Sequence, residues 1–319
     1  MGAVAHGSSH ARPPGPPVVA VVGPTASGKS DLGVALALAL GGEVVNADSM
    51  QLYRGMDVGT AKLTPTERRG VPHHLLDVWD VTTTASVVDY RDRARAVVDD
   101  LRARGVTPVL VGGSGLYVRA VLDSLEFPGT DPEVRERLEA ELSQVGSGAL
   151  HRRLAELDPQ AAAAILPSNG RRVVRALEVV EIAGRFTATL PEQRDAYPSV
   201  QVGLDVPRPV LDARIDERVR RMWAAGLVDE VRALVDAGLR EGRTASRALG
   251  YAQVLRMLDG ELDEATAVAE TQRATRRFAR RQDTWFRRDE RVVWLPHDAP
   301  DLLERALSAV ASGVVPEPR

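Results

Sequence analysis

Eight consecutive residues, Gly23, Pro24, Thr25, Ala26, Ser27, Gly28, Lys29 and Ser30, fit the pattern G-x-x-x-x-G-K-[ST] at every fixed place. Such a loop curls its backbone amides around a phosphate while the lysine neutralises phosphate oxygens. The chain holds only two lysines, Lys29 and Lys62, against 39 arginines. Lysine is retained where a compact ammonium fits and a broad planar guanidinium does not. The hydroxyl that follows it, here Ser30, is the Mg2+ ligand of loops of this kind. The chemistry implied is work on a di- or triphosphate.

Other candidates lie downstream. Asp48, in Asn46-Ala47-Asp48-Ser49-Met50-Gln51-Leu52-Tyr53, could hold magnesium through water, act as a general base, or simply cap a helix. Gly55–Lys62 carries the second lysine and reads as a loop near the site or as a surface turn. His73-His74 lacks further ligands at metal spacing and reads as a packed or hydrogen-bonded pair. In Leu110–Tyr117, the Gly112-Gly113 turn and the Ser114 hydroxyl could complete an oxyanion cradle, although glycines also serve tight strand–helix packing. Arg171, Arg172 and Arg175 share one side of a helix. They suit a phosphate, unless Glu178 pairs with Arg175.

These residues need elements to hold them. Val18–Val22, Glu43–Asn46, Leu75–Val78 and Val109–Val111 read as strands, alternating with helices over Ser30–Leu40 and Ser86–Arg104. The alternation predicts an α/β fold, a parallel sheet with helices on both faces. Ligands of such sheets lie at the carboxyl ends of the strands, so Asp48 and Ser114 should line the phosphate-loop crevice. Asp131 to Gly184 is helical throughout, Gln201–Val206 restores a strand, helices run to Asp283, and Val292–Leu295 supplies a last strand. The organisation expected is a core of residues 18–125 and 198–313 with an all-helical insertion over 126–197. Residues 1–17, rich in proline, are expected to be a disordered leader.

With no cysteine, the chain has no disulfide framework, thiolate metal site or cysteine nucleophile. No apolar run approaches the ~18 residues of a membrane span, and a soluble cytoplasmic protein is expected. The net charge of −3 hides one basic stretch: between Thr271 and Arg291 eight arginines face three acids, with Phe278, Trp285 and Phe286 interleaved. That pattern suits a polyanion such as nucleic acid, or a solvated helix with its aromatics in the core.

Taken in order and spacing, the phosphate loop, Asp48–Tyr53, Gly55–Lys62, Gly112–Tyr117 and Arg280–Arg287 closely resemble the tRNA dimethylallyltransferases, also called tRNA isopentenylpyrophosphate transferases. The resemblance runs from about Val18 to Leu295. It implies a P-loop NTPase-like core that binds dimethylallyl diphosphate. The five-carbon group would pass to the exocyclic N6 amine of the adenosine immediately 3′ of a tRNA anticodon, releasing diphosphate. It makes Asp48 the general base, sets Ser114 where the family usually has threonine, and puts Arg135 at the diphosphate. tRNA contacts would come from Asp48, Ser49, Met50 and Gln51, and from Arg171, Arg172, Val173, Val174 and Arg175. Further contacts would come from Arg247, Gly250 and Tyr251, and from Arg280, Arg281, Gln282, Trp285 and Arg287. Two places depart from the family pattern: Ala252 stands where a basic residue often follows Gly250-Tyr251, and Leu166-Pro167-Ser168-Asn169 replaces a His-Pro-Asn-Asp run. The partner implied is a tRNA anticodon stem-loop, gripped by a monomer. An "ATP-binding" label would describe the loop but not this ligand. A P-loop small-molecule kinase, or an isopentenyltransferase acting on free AMP or ADP, explains the loop but not the basic aromatic helix. An RNA-binding NTPase lacks an evident arginine finger.

Overall fold

Val18–Val22 (β1) is five apolar residues long and every one is buried. A strand apolar on both faces needs cover on both, which is the signature of a parallel sheet sandwiched by helices. The computed structural model describes residues 15–125, 127–187 and 194–313. It shows six parallel strands in the order β3-β2-β4-β1-β5-β6. The others are Glu43–Asn46 (β2), His73–His74 (β3), Pro108–Gly112 (β4), Ser199–Asp205 (β5) and Val292–Pro296 (β6). Val19 lies beside Val109 on one side and Val200 on the other.

Alternate residues of the strands feed two cores. Val18, Ala20, Val22 and Leu110 pack with Tyr90, Val98 and Leu101 of α2 (Val87–Ala103) and Val118 and Val121 of α3 (Gly115–Leu122). Val19, Val21, Val109 and Val202 pack with Leu32 and Leu36 of α1 (Lys29–Leu40) on the opposite face.

One strand differs from expectation. The third lies at His73–His74 rather than Leu75–Val78. Leu75 and Asp77 adopt positive φ (61° and 58°), so the apolar run is a turn beyond the strand end. The two histidines hydrogen-bond inside the fold, His73 to Val71 O at 2.9 Å and His74 to Glu43 at 2.6 Å. Of the expected leader, residues 1–14 lie outside the described residues. Gly15 and Pro16 are held by the buried Arg102 guanidinium, which donates to their carbonyl oxygens at 3.3 and 2.9 Å.

The chain divides into two compact units, residues 1–123 with 195–319, and Ser124–Arg194. The junction differs slightly from the expected 126 and 197. Asp123 and Asp195 form an antiparallel bridge, and Arg291 Nη1 donates to both carboxylates at 2.7 and 2.5 Å. Tyr197 is buried in the first unit's core.

The second unit contains α4 (Pro132–Leu157, kinked at Gly146), α5 (Pro159–Ala163) and α6 (Gly170–Ala183), packed around Leu138, Leu154, Val173 and Leu177. Asn169, within the atypical Leu166–Asn169 run, caps α6 by accepting from Arg172 N at 3.3 Å. The first unit continues with α7 (Arg208–Ala224), α8 (Leu227–Asp236), a short 3-10 turn at Ala245–Arg247, α9 (Tyr251–Leu258), α10 (Glu264–Phe286) and, after β6, α11 (Leu302–Ser312). Among the described residues no helix is long and apolar enough to cross a membrane.

Candidate active site

After Val22 the backbone turns through positive φ at Gly23 (134°), Ala26 (64°) and Gly28 (101°), which wraps the loop back over the end of β1. Helix α1 starts at Lys29 with no side chain capping it. Its first-turn amides are therefore left for an anion, and the helix dipole favours one there. Lys29 is 8% exposed, and its Nζ donates to Pro24 O at 3.2 Å. Burial pulls the ammonium down to about pKa 8; Asp48 opposes that fall and Arg218 adds to it.

Asp48 follows β2 and caps no helix. It ends a short turn, with Oδ1 accepting from Met50 N at 3.0 Å. Asn46 fixes its backbone from both sides, accepting from Asp48 N at 2.9 Å and donating to Asp48 O at 3.1 Å. Ser114 stands at the N-terminus of α3 but does not cap it. Its hydroxyl turns instead to Ser49, accepting from the Ser49 amide and donating to the Ser49 hydroxyl, both at 3.3 Å. The Gly112-Gly113-Ser114 turn and the Asp48 turn are thus joined directly.

One functional candidate escaped the sequence. Arg218 of α7, half-buried, lines the same cavity as Thr25, Lys29, Ser30, Asp48 and Gln51. Its Nη2 donates to Thr60 O at 3.4 Å, while its Nε is buried with no partner. Burial depresses this guanidinium, and Asp48 only partly offsets the effect. Two cations, Lys29 and Arg218, therefore share the cavity with the Asp48 carboxylate. Such an imbalance inside a protein calls for an anion. Val44, Leu63, Leu76 and Val111 add apolar surface to the wall, beside Asn46, His73 and Gly112.

No group of three or more His, Asp or Glu gathers as a metal site among the described residues. The oxygens of Ser30 and Asp48 on the cavity wall nevertheless suit Mg2+, which binds through one or two protein oxygens plus substrate phosphates and keeps several waters.

Helix α10 carries the basic stretch, and its residues divide into two groups. Arg280 and Arg281 are exposed, with Arg281 stacked over Phe278. Gln282, expected among RNA contacts, is buried, and both ends of its amide are used internally. Its Oε1 accepts from Thr25 N at 2.9 Å and its Nε2 donates to Gly113 O at 2.9 Å. Trp285, 37% exposed, lies so close to Gly115 that an added Cβ there would stand 2.1 Å from its Nε1. Arg287 stacks on Trp294 at 3.8 Å and pairs with Asp205.

Among the other expected RNA contacts, Arg247 is exposed on the 3-10 turn. Gly250 opens α9 with φ 89°, and Tyr251 is wholly buried. Within the second unit, Val173 and Val174 are core side chains, so any RNA contact by side chains there falls to the flanking arginines. Arg135 and Arg175 both pair with the buried carboxylate of Glu178, and Arg175 also donates to Pro128 O at 2.7 Å. Burial raises the Glu178 pKa, but the two guanidinium groups outweigh it and hold the carboxylate below its ordinary range.

A family model described as IPP transferase matches residues 51–289. The chain is 71% identical to a tRNA dimethylallyltransferase of Thermobifida fusca over 92% of its own length and 94% of that protein. It is 67% identical to one of Streptomyces griseus, covering 92% of this chain and 98% of that one. Its fold is similar to the crystal structure of a tRNA isopentenylpyrophosphate transferase from Bacillus halodurans, with a TM-score of 0.69, 41% identity, and 93% and 97% of the two chains covered. A eukaryotic dimethylallyltransferase acting on tRNA shares the fold at a TM-score of 0.73 and 23% identity, over 93% of this chain and 77% of that one.

Proposed function

This chain belongs to the IPP transferase family, the tRNA dimethylallyltransferases, and on that premise we propose how its residues divide the work. It transfers a dimethylallyl group to tRNA. The donor is dimethylallyl diphosphate, and the diphosphate lies in the phosphate loop against Lys29 and Arg218. The observation that carries this reading is the pair of cations, Lys29 and Arg218, facing the Asp48 carboxylate in one cavity. Val44, Leu63, Leu76 and Val111 on its wall suit the hydrocarbon end of the donor.

The acceptor is the N6 amine of the adenosine 3′ of the anticodon. That nitrogen is a weak nucleophile because its lone pair is delocalised into the ring, whereas an allylic carbon leaves diphosphate readily once the departing charge is stabilised. The bond from carbon to diphosphate oxygen breaks, the carbon–nitrogen bond forms, and the amine proton passes to Asp48. Lys29, Arg218 and the loop amides take up the charge on the leaving group. Mg2+, held by Ser30 together with the diphosphate, would supply further charge neutralisation. Ser114, tied to Ser49, keeps the Asp48 turn in register with the opposite wall. The adenosine must leave its stack to reach Asp48, as bases do for enzymes that act on them.

The anticodon stem-loop is gripped through phosphates by Arg280 and Arg281 on α10, by Arg247, and by Arg171, Arg172 and Arg175 on the helical unit. Arg135, already paired with Glu178, is assigned to the diphosphate by family resemblance. The enzyme acts as a cytoplasmic monomer. A kinase, or a transferase of free AMP or ADP, is not the family to which the chain belongs.

Purified protein with magnesium, labelled dimethylallyl diphosphate and either an anticodon stem-loop or AMP tests the assignment. Label in the stem-loop is the expected result; label in AMP alone, or ATP consumption without transfer, overturns it. Asp48→Asn should abolish transfer and leave stem-loop binding within a few-fold. A large loss of binding would make Asp48 a substrate anchor instead.

A further inference from the structure

We propose that Glu230, outside the cavity on α8, is a positioning residue that sets the aim of Arg218 and Gln51 through the 57–60 turn. One carboxylate gathers four donors. Oε2 accepts from Asp57 N at 3.0 Å and Val58 N at 2.7 Å, while Oε1 accepts from Gly59 N at 3.1 Å and Tyr251 Oη at 2.5 Å. Successive amides converging on one point form the concavity with which loops hold free anions. Here the anion is a side chain from a helix more than 170 residues away in sequence.

The turn is locked on its other sides as well. Gly59 runs so close to the Tyr251 ring that an added Cβ would stand 2.4 Å from it. Burial and the neighbouring Glu230 both push the Tyr251 phenol far above its ordinary pKa, so it remains a donor. At the far end, Lys62 Nζ fastens the loop to Asp57 at 2.5 Å, Asp77 at 2.6 Å and Tyr53 O at 3.1 Å.

The consequence falls on Thr60, the next residue. Its carbonyl oxygen accepts from Arg218 Nη2 at 3.4 Å and from Gln51 Nε2 at 3.2 Å. Both side chains line the cavity. The path runs from Glu230 through three amides and one carbonyl to the Arg218 guanidinium on the cavity wall. Glu230 itself touches neither the cavity nor any atom assigned to substrate. A carboxylate so placed does more than close a loop: with the 57–59 amides released, Thr60 O shifts and Arg218 loses the acceptor that orients it.

The inference rests on Arg218 being a diphosphate cation, and its test separates the two ideas. Glu230→Gln keeps the shape but replaces one acceptor oxygen with an NH2 group that cannot accept. It should raise KM for dimethylallyl diphosphate about tenfold, a change of one decade in apparent affinity, with KM for the stem-loop unchanged. Tyr251→Phe, which leaves the three amide contacts in place, should move the donor KM in the same direction by about threefold or less. In an Arg218→Ala background, Glu230→Gln should add almost nothing, because contacts on one path are not additive. A lowered melting temperature with unchanged donor KM in both variants, or full additivity with Arg218→Ala, overturns the positioning role. If Arg218→Ala alone leaves the donor KM unchanged, it is the diphosphate assignment of Arg218 that fails.

Discussion

Gln282, on the arginine-bearing helix, accepts the backbone N–H of Thr25 in the phosphate loop at 2.9 Å. The same amide donates to Gly113 O, so one side chain from α10 bridges the two glycine turns that flank the cavity. The helix that presents Arg280 and Arg281 is thereby fastened to the glycine-rich loop of residues 23–30.

Replacing Gln282 by leucine should therefore damage more than RNA binding. The substitution leaves the half-buried Thr25 amide and the buried Gly113 carbonyl unpaired, at a cost of roughly 1–3 kcal/mol for the buried one and less for the other. A lower melting temperature is expected, together with a donor KM raised about tenfold or more if one such cost falls on the bound state. Calorimetry and steady-state kinetics on one preparation check it. Lost stability with an unchanged donor KM would make Gln282 a brace without influence on the loop.

Lys29 gives the site a pH dependence with a definite sign. In the proposed site the diphosphate needs the charged ammonium, and burial has brought its pKa down to about 8. Donor affinity should fall as pH rises through that value, read by equilibrium binding without RNA. The stability effect has the opposite direction. Between about 8 and the ordinary 10.5 the unfolded chain holds a proton that the folded one has lost, so this group makes stability rise with pH across that window. Lys29→Met should remove that rise, melt a few degrees higher near neutral pH, and bind donor at least a hundredfold more weakly, the loss of about one charge-assisted contact. A mutant that melts lower would mean that the buried ammonium is a net stabiliser.

Arginines on α10 should separate by role. Arg280→Ala with Arg281→Ala is expected to weaken stem-loop binding and to flatten its log–log salt dependence by roughly one to two units. Arg287→Ala removes the pairing with Asp205 and the stack on Trp294, and should lower the melting temperature while leaving the salt slope alone. Fluorescence anisotropy at several salt concentrations distinguishes them. An unchanged slope in the double variant would take α10 out of the interface.

Much of this arrangement was legible in the sequence because its signals are local. β1 is a short apolar run, β2 centres on Val44 and Val45, and the loop between β1 and α1 has glycines at two of its three positive-φ positions. The third strand was misplaced because its apolar run, Leu75–Val78, serves a turn. There Leu76 reaches the cavity and Asp77 pairs with Lys62, while the strand itself is two polar histidines on the sheet edge.

Arg218 was missed for a different reason. It is one of several arginines on α7, with no motif around it, and its charge looks like solvated surface. A signal was nevertheless present. Leu211, Ile215 and Val219 form the buried stripe of that helix, and Arg218 stands beside Val219 at its edge. The reach of Gln282 from α10 to Thr25 spans 257 residues, which no local pattern encodes.

The bridge between Asp123 and Asp195, pinned by Arg291, has a consequence for how the molecule is wired. The chain leaves the core and re-enters it at adjacent points, closed over by residues that all belong to the core. Topologically the helical unit is a detour spliced into one connection of an otherwise continuous α/β chain. A tight turn in its place would leave every strand with the neighbour it has now. The helical unit can thus be lengthened, trimmed or exchanged without rethreading the sheet.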